Sequence, residues 1–212
     1  MFALVESGSI TSMPKGNKGI KIGDYNYPPA VFTLWSESER NAIGIYTVEI
    51  DETNRKDEKW YINTDITYAF GSGKVTGTYG TATAKAIADT KWTQAQIDDP
   101  TLVGQAPDGA DTNTVRLEGL KTIKKRMFDN QCAGLLAPSD WMVIKATETG
   151  TTMDSGWKTW RASVRTKCNS MQTQIDNAAD VDALAALFVY TNTGTEENPV
   201  ITRPLGEFPI KE

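Results

Sequence analysis

The sequence contains no histidine among its 212 residues. Histidine is the usual general base near neutral pH and a common metal ligand, so its absence excludes Ser-His-Asp and Cys-His catalysis and histidine-held metals. Only two cysteines occur, Cys132 and Cys168, too few and too far apart for a zinc site or a disulfide framework. Both fall in helical patterns, which favours buried free thiols, with a tertiary disulfide as the alternative. We therefore expect no metal, no cofactor and no enzymatic activity.

Long apolar runs and an excess of positive charge are also missing. No apolar stretch approaches the ~20 residues that a transmembrane helix requires, so we expect no membrane insertion. The N-terminal segment reaches Glu6 without a basic region, which argues against a secretory signal peptide. Lys and Arg total 22 against 27 Asp and Glu, giving a net charge of −5. Because phosphate contacts require clustered positive charge, we expect no nucleic-acid partner.

Residues 1–80 carry the patterns of a small antiparallel β domain. Apolar stretches on either side of the turn sequence at 6–9 predict an N-terminal hairpin. The alternation at 45–50 predicts a strand, and the glycine-containing turn at 71–73 predicts a second hairpin.

Two local signals precede the strand at 45–50. The prolines at 28–29 favour an extended entry into 31–34. Ser36 and Glu39 form the pattern of a capping box, which predicts a short helix ending at Gly44.

The remainder of the chain changes to helical periodicity. We predict a partly helical linker at 81–113, a helical hairpin module with a short third helix at 114–190, and an extended C-terminal arm at 191–212. The connection inside the hairpin is expected at 139–156. The predicted fold class is therefore α+β.

The two long helices of the module each carry a predicted buried stripe. In the first helix the stripe is formed by Val115, Leu120, Ile123, Met127, Leu135 and Leu136. In the second, steps of three and four separate Trp157, Trp160, Val164, Cys168, Met171 and Ile175. Both tryptophans are accordingly predicted to be largely buried.

The arm at 191–212 is too rich in proline to form a helix. Its apolar residues are Val200, Ile201, Leu205, Phe208 and Ile210. Prolines extend the chain in advance and lower the entropy lost on docking, so we expect these residues to bind a groove or sheet edge of another chain.

Three tryptophans, Trp141, Trp157 and Trp160, fall around the predicted interhelical connection. They either form a local core that clamps the hairpin or anchor a protein interface, where Trp and Arg are favoured. Basic residues on the same helices, such as Lys158 and Arg165, have two corresponding interpretations: a solvated surface or a contact with an acidic partner.

At these residues the sequence resembles a known signature. Leu135 to Trp141 and Trp157 to Arg165 match the pattern LLA-x-[ST]-D-W … W-x-x-[YW]-R-x-x-[LV]-R of tailed-phage tail-assembly-chaperone and tail-fibre-assembly proteins. The resemblance covers about Arg116 to Leu187. Its matching module residues are Asp140, Trp141, Trp157, Trp160, Arg161 and Arg165. The opening MFALVESGSI also resembles the N-terminal hairpin of such phage proteins.

The resemblance implies a structural component of a bacteriophage tail, associated with the tail fibre or baseplate. Its partners would be other tail proteins, it would be oligomeric in the particle, and it would reside in the virion after synthesis in the host cytoplasm. The alternative is a tail-fibre assembly chaperone that the virion does not retain. A virion-associated enzyme is a more distant alternative.

Overall fold

The computed structural model describes residues 1–99, 101 and 106–211. It contains both strands and helices, so the α+β prediction is confirmed. The chain divides into two compact units, Met1–Thr83 and Ala84–Glu212. Each unit has its own buried residues and is described by itself.

The first unit consists of short strands and two short helices. They are β1 (Phe2–Glu6), β2 (Ser9–Ser12), β3 (Ile20–Ile22), β4 (Tyr25–Tyr27), α1 (Ala30–Thr33), α2 (Glu37–Ala42), β5 (Ile45–Asp51), β6 (Tyr61–Ile62), β7 (Ile66–Gly71) and β8 (Lys74–Tyr79). The hairpins predicted around 6–9 and 71–73 are confirmed as β1–β2 and β7–β8. A further short strand, β9 (Thr83–Ala84), lies at the boundary between the units.

Five strands of this unit form one sheet in the order β2-β1-β5-β8-β7. Strand β5 pairs with β8 in parallel, whereas β1–β2, β1–β5 and β7–β8 are antiparallel. The sheet is therefore mixed, and the prediction of a purely antiparallel domain is wrong for this pair. Local alternation predicts that a strand exists, but the direction of its distant partner is set by tertiary packing.

The sheet buries apolar side chains on both faces, because successive side chains of a strand point to opposite sides. One cluster contains Ala3, Val5, Val48 and Val75. The other contains Leu4, Val31, Phe32 and Ile45. Adjacent residues of β1 thus serve different clusters.

The segment after Pro28 and Pro29 forms the helical turn α1 rather than an extended chain. Pro29 has φ −56° and ψ −24°, values that already suit a helix start, since proline is favoured in the first turn. The turn buries Val31 and Phe32. The proline pair restricts only residues that precede a proline, so it does not oppose a helical turn from Ala30, and the burial of Val31 and Phe32 favours that turn.

The capping box of α2 is confirmed. The Ser36 backbone N–H donates to Glu39 Oε2 at 2.8 Å, and the Glu39 backbone N–H donates to Ser36 Oγ at 3.3 Å. After the helix, Gly44 adopts φ +83°, and a Cβ there would lie 2.5 Å from the Val5 carbonyl oxygen. Glycine is therefore required where α2 turns into β5.

The second unit is mainly helical. It contains β10 (Thr90–Lys91), α3 (Gln94–Ile97), β11 (Val115–Leu117), α4 (Leu120–Leu136), α5 (Asp140–Thr149), α6 (Ser155–Asn177), α7 (Val181–Ala186), β12 (Thr191–Asn192) and β13 (Ile201–Thr202). The segment predicted as a linker from 81 belongs largely to this unit. Within it, residues 100 and 102–105 lie outside the described residues.

Helices α4 and α6 pack antiparallel, as the hairpin prediction requires. Lys121 Nζ donates to the Asp176 carbonyl at one end, and Arg161 reaches the Leu136 carbonyl at the other. The predicted seam of α6 is confirmed at its four buried members, Val164, Cys168, Met171 and Ile175. Both cysteines are buried free thiols.

The predicted stripe of α4 is only partly correct: Leu120 is buried and Met127 and Leu136 are partly buried, whereas Leu135 is 37% exposed. The buried residues of this helix are Leu120, Phe128 and Cys132. Val115 lies in β11, and Ile123 is 41% exposed. The predicted stripe included Val115, which lies before the helix begins at Leu120, and it omitted Phe128 and Cys132.

The C-terminal segment is not an extended arm, which corrects the prediction. It forms the β12–β13 hairpin and then returns to its own unit. There Leu205 is fully buried, and the ring of Phe208 lies 6.3 Å from that of Phe128. These two residues are therefore not free to dock on another chain. Val200, Ile201 and Ile210 remain exposed.

Candidate interaction site

The signature residues come together where α4, α5 and α6 meet. Helix α4 ends at Leu136, the 3-10 turn Ala137–Ser139 follows, and α5 begins at once at Asp140. Helix α5 occupies most of the region predicted to be a plain connection. Its C-terminus is closed by Gly150 at φ +66°, the left-handed conformation typical of helix ends.

Arg161 lies in the first third of α6 and fixes the corner at which α4 ends and α5 begins. Its side chain is almost fully buried, with the residue only 7% exposed. One terminal nitrogen, Nη1, donates to the Leu136 carbonyl at 2.7 Å and to Ser139 Oγ. The other, Nη2, donates to Asp140 Oδ1 at 2.7 Å. The guanidinium thus satisfies a carbonyl at the end of α4 and ties the first residue of α5 to α6.

Ser139 completes this arrangement; it occupies the [ST] position of the signature, but no role was predicted for it. It is fully buried, and its hydroxyl donates to the Leu136 carbonyl at 2.9 Å while accepting from Arg161. Asp140, in contrast, has a side chain that is 56% exposed. The available sequence signal was a serine directly between a helix-ending proline and an aspartate.

Trp157 and Trp160 contact each other and the C-terminal segment. Their rings meet edge to face with centroids 5.5 Å apart. Trp160 Nε1 donates to the Pro209 carbonyl at 3.0 Å, and Lys211 Nζ lies 5.4 Å from the Trp157 ring. Both tryptophans are only partly buried, so the prediction of largely buried rings is wrong in degree.

Trp141 behaves differently from the other two tryptophans. It is 56% exposed, and its neighbours Val143 and Ile144 on α5 are 42% and 58% exposed. The ten-residue helix α5 has no buried residue at all. Trp157 and Trp160 thus contact each other and the C-terminal segment, whereas the exposure of Trp141 fits an interface anchor.

Between α5 and α6 lies a cleft made of two adjoining depressions of about 360 and 450 Å³. Both share Ala146 and the segment 151–153 as walls. Trp141 and Trp157 line the first depression. The lining of the second includes Lys158, Arg161 and Arg165. We refer to the two depressions together as the α5–α6 groove.

The groove carries more positive than negative charge. Arg161 is neutralised by Asp140, whereas Lys145, Lys158 and Arg165 are exposed. Asp154 also lines the groove, where its carboxylate accepts from the Trp157 backbone N–H at 3.1 Å and caps α6. The walls therefore offer apolar surface and cationic groups, which suits binding rather than proton transfer.

The most perturbed thiol lies away from this groove, in the α4–α6 seam. Burial raises the pKa of Cys168 to about 11, and the neighbouring Cys132 contributes to the rise. A thiol with so high a pKa is protonated near neutral pH and is a poor nucleophile. In the described residues, no group of three or more His, Cys, Asp or Glu side chains is placed to hold a metal ion.

Comparisons with known proteins add no assignment. No family model, no curated protein and no solved structure matches this chain. Among the described helices, none combines the length and apolar character needed to cross a membrane.

Proposed function

We propose that this protein is a structural component of a bacteriophage tail, associated with the tail fibre or baseplate, which works through protein–protein contacts. It would be oligomeric in the tail of the virion, beside other tail proteins, after synthesis in the host cytoplasm. The proposal includes no catalytic step and no cofactor.

The observation that carries the proposal is the exposed apolar face of α5, held at its base by a buried arginine. On this face Trp141 and Ile144, three residues apart, are 56% and 58% exposed, whereas the exposed Val143 lies on another side of the helix. A ten-residue helix is marginal on its own in water, and clustered exposed apolar side chains mark interaction surfaces. The phage-like signature includes Trp141, the exposed anchor, and Arg161, the group that fixes the helix.

A tail-fibre assembly chaperone is the second candidate, and the C-terminal segment favours it. An arm docked on a neighbouring subunit would have tied the protein permanently into the tail. Instead Leu205 is buried in its own unit and Trp160 binds the Pro209 carbonyl. Contact through α5 alone is equally suited to a transient complex, since it exposes a small surface.

Quantitative mass spectrometry of purified virions tests the proposal. A structural component gives peptides of this chain in fixed ratio to those of major tail proteins, and the ratio survives a salt wash. A chaperone is abundant in the infected cell but missing from the particle. Absence from both the particle and its assembly intermediates would contradict both candidates.

A further inference from the structure

We propose that the α5–α6 groove binds an acidic, amphipathic segment of a partner protein. Its apolar side chains would lie against Trp141 and Trp157, and its carboxylates would meet Lys158 and Arg165. This inference rests on the proposed function, because it names the chemistry of the partner at the same surface.

The shape of the groove favours a polypeptide segment. Its two depressions share Ala146 and the segment 151–153 as walls, so they lie side by side next to α5, and a segment several residues long can contact both. A cleft of this kind is typical of sites that receive a single segment with several side chains inserted. The anchoring of α5 by Arg161 keeps one wall in position before the partner arrives.

The apolar wall provides the attractive surface. Trp141 is more than half exposed, and Trp157 is only partly buried by its contact with Trp160. Tryptophans at such positions dominate binding when a partner removes them from water. Covering α5 would also stabilise it, since this helix has no buried residue of its own.

The charges select an acidic occupant. Lys145, Lys158 and Arg165 are exposed, and in the described part of the chain none of them forms an ion pair. Asp154 already caps α6, and Asp140 is bound to Arg161. Lys145 Nζ lies 6.0 Å from the centre of the Trp141 ring, so its internal contact is aromatic. An arriving carboxylate therefore meets cations that no carboxylate of the described chain neutralises, and complementary charge of this kind raises specificity and association rate.

Other anionic occupants fit less well. A lipid surface is flat, whereas the cationic side chains line a cleft between two helices. Across the large area that an anionic membrane or nucleic acid presents, the net charge of −5 of the whole chain opposes binding, whereas a short acidic segment meets mainly the cations of the groove. A symmetric dimer through this groove would set its cationic wall against an identical one, because a two-fold interface pairs a patch with itself.

Three synthetic peptides of equal length test the inference by fluorescence anisotropy on the full chain. The first has Leu and Phe at helical spacing with Glu elsewhere, the second replaces Glu by Lys, and the third replaces the apolar residues by Ser. We expect the first to bind at least about tenfold more tightly than either other peptide, a difference of about 1.4 kcal/mol. Its affinity should fall as salt is raised.

Variants with matched controls locate the binding site. The double variant Lys158→Glu with Arg165→Glu should weaken binding of the acidic peptide at least about tenfold. The control, Lys18→Glu with Lys21→Glu, changes the net charge equally at exposed positions of the first unit and should leave affinity within about twofold.

A second pair of variants tests the apolar wall. Trp141→Ala should weaken binding at least about tenfold, whereas Leu34→Ala, at a residue 81% exposed in the first unit, should not. All these positions are exposed, so circular dichroism and thermal melts should show folded proteins throughout.

The inference is overturned if the lysine peptide binds equally well or if the control charge reversal weakens binding as much as the groove reversal. It is also overturned if duplex DNA or anionic vesicles occupy the groove more tightly than the acidic peptide, or if sedimentation shows dimers that Trp141→Ala abolishes. Presence in virions without peptide binding would refute this inference alone. Peptide binding with absence from virions and their assembly intermediates would refute the proposed function and leave the groove chemistry standing.

Discussion

Replacing Arg161 by methionine is expected to lower the free energy of unfolding by about 2–4 kcal/mol. Methionine keeps an apolar stem of similar length inside the protein but removes the guanidinium. The loss frees the Leu136 carbonyl and the buried Ser139 hydroxyl from a charged donor. Hydrogen bonds to charged groups contribute about 1.5–3 kcal/mol each.

Two features of the structure keep the expected loss of unfolding free energy below the sum of the individual hydrogen-bond contributions. Ser139 and the Leu136 carbonyl are already hydrogen-bonded to each other at 2.9 Å, so neither is left without a partner. The Asp140 carboxylate is 56% exposed and remains hydrated when Arg161 is removed. Its ion pair should therefore contribute no more than about 1 kcal/mol.

Urea denaturation followed by circular dichroism and tryptophan fluorescence measures this loss. Arg165→Met is the matched control, because Arg165 lies one turn further along α6 and is exposed; its cost should stay within about 0.5 kcal/mol. Asp140→Asn should cost less than about 1 kcal/mol. A loss below about 1 kcal/mol for Arg161→Met, or an equal loss for Asp140→Asn, would refute the assignment of Arg161 as the group that fixes the helix corner.

Further predictions concern a cap, the C-terminal segment and the buried thiol. Ser36→Ala should cost about 1 kcal/mol of unfolding free energy in urea titrations, since it removes the capping box of α2. Leu205→Ala should cost about 2–5 kcal/mol in the isolated protein; an unchanged midpoint would mean that the segment does not pack on its own unit. Because the folded-state pKa of Cys168 is raised to about 11, the unfolded chain releases this proton first, and stability falls as pH rises from about 9 to 11. In chemical denaturation at pH 8 to 11, the stability advantage of the wild type over Cys168→Ala should therefore shrink, by at most about 1.4 kcal/mol per pH unit; a constant difference would contradict the raised pKa.

Much of the local structure was predictable because it depends on short-range chemistry. The turn at 6–9 and the capping box at Ser36 act over a few residues, and both were identified correctly. The seam of α6 was readable because its apolar residues recur without interruption. In α4 the same reasoning was only partly correct, since the predicted stripe included Val115 of β11 and omitted Phe128 and Cys132.

Features that depend on tertiary contacts were not predictable from local patterns. The parallel pairing of β5 with β8 joins segments distant in sequence. The return of Leu205 to its own unit depends on a site that the helices create only when folded. Helix α5 was missed because the region at 147–156, where it ends, is rich in Thr and Gly, which disfavour helices. The first half of α5 itself is apolar.

The candidate site was only partly identified from the sequence. The resemblance singled out Arg161 and Asp140, but it did not show that they bind each other. Ser139, which fills the [ST] position of the signature but was given no role, proved to be buried at the same corner. The sequence did not show that Trp141 is exposed while Trp157 is partly buried. Residue type predicts a preference for interfaces, but it does not show on which side of a helix a neighbour packs.

Photo-crosslinking inside assembled particles tests the central claim, that the exposed face of α5 is an interface with other tail proteins. A benzophenone amino acid replaces Ile144, which is 58% exposed on α5, or Leu34, which is 81% exposed in the first unit. Mass spectrometry then identifies the crosslinked partners in purified virions or assembly intermediates. The account predicts crosslinks from position 144 to another tail protein, lost together with Trp141→Ala. Crosslinks from position 34 alone, or none from position 144 in particles that contain the protein, would contradict it.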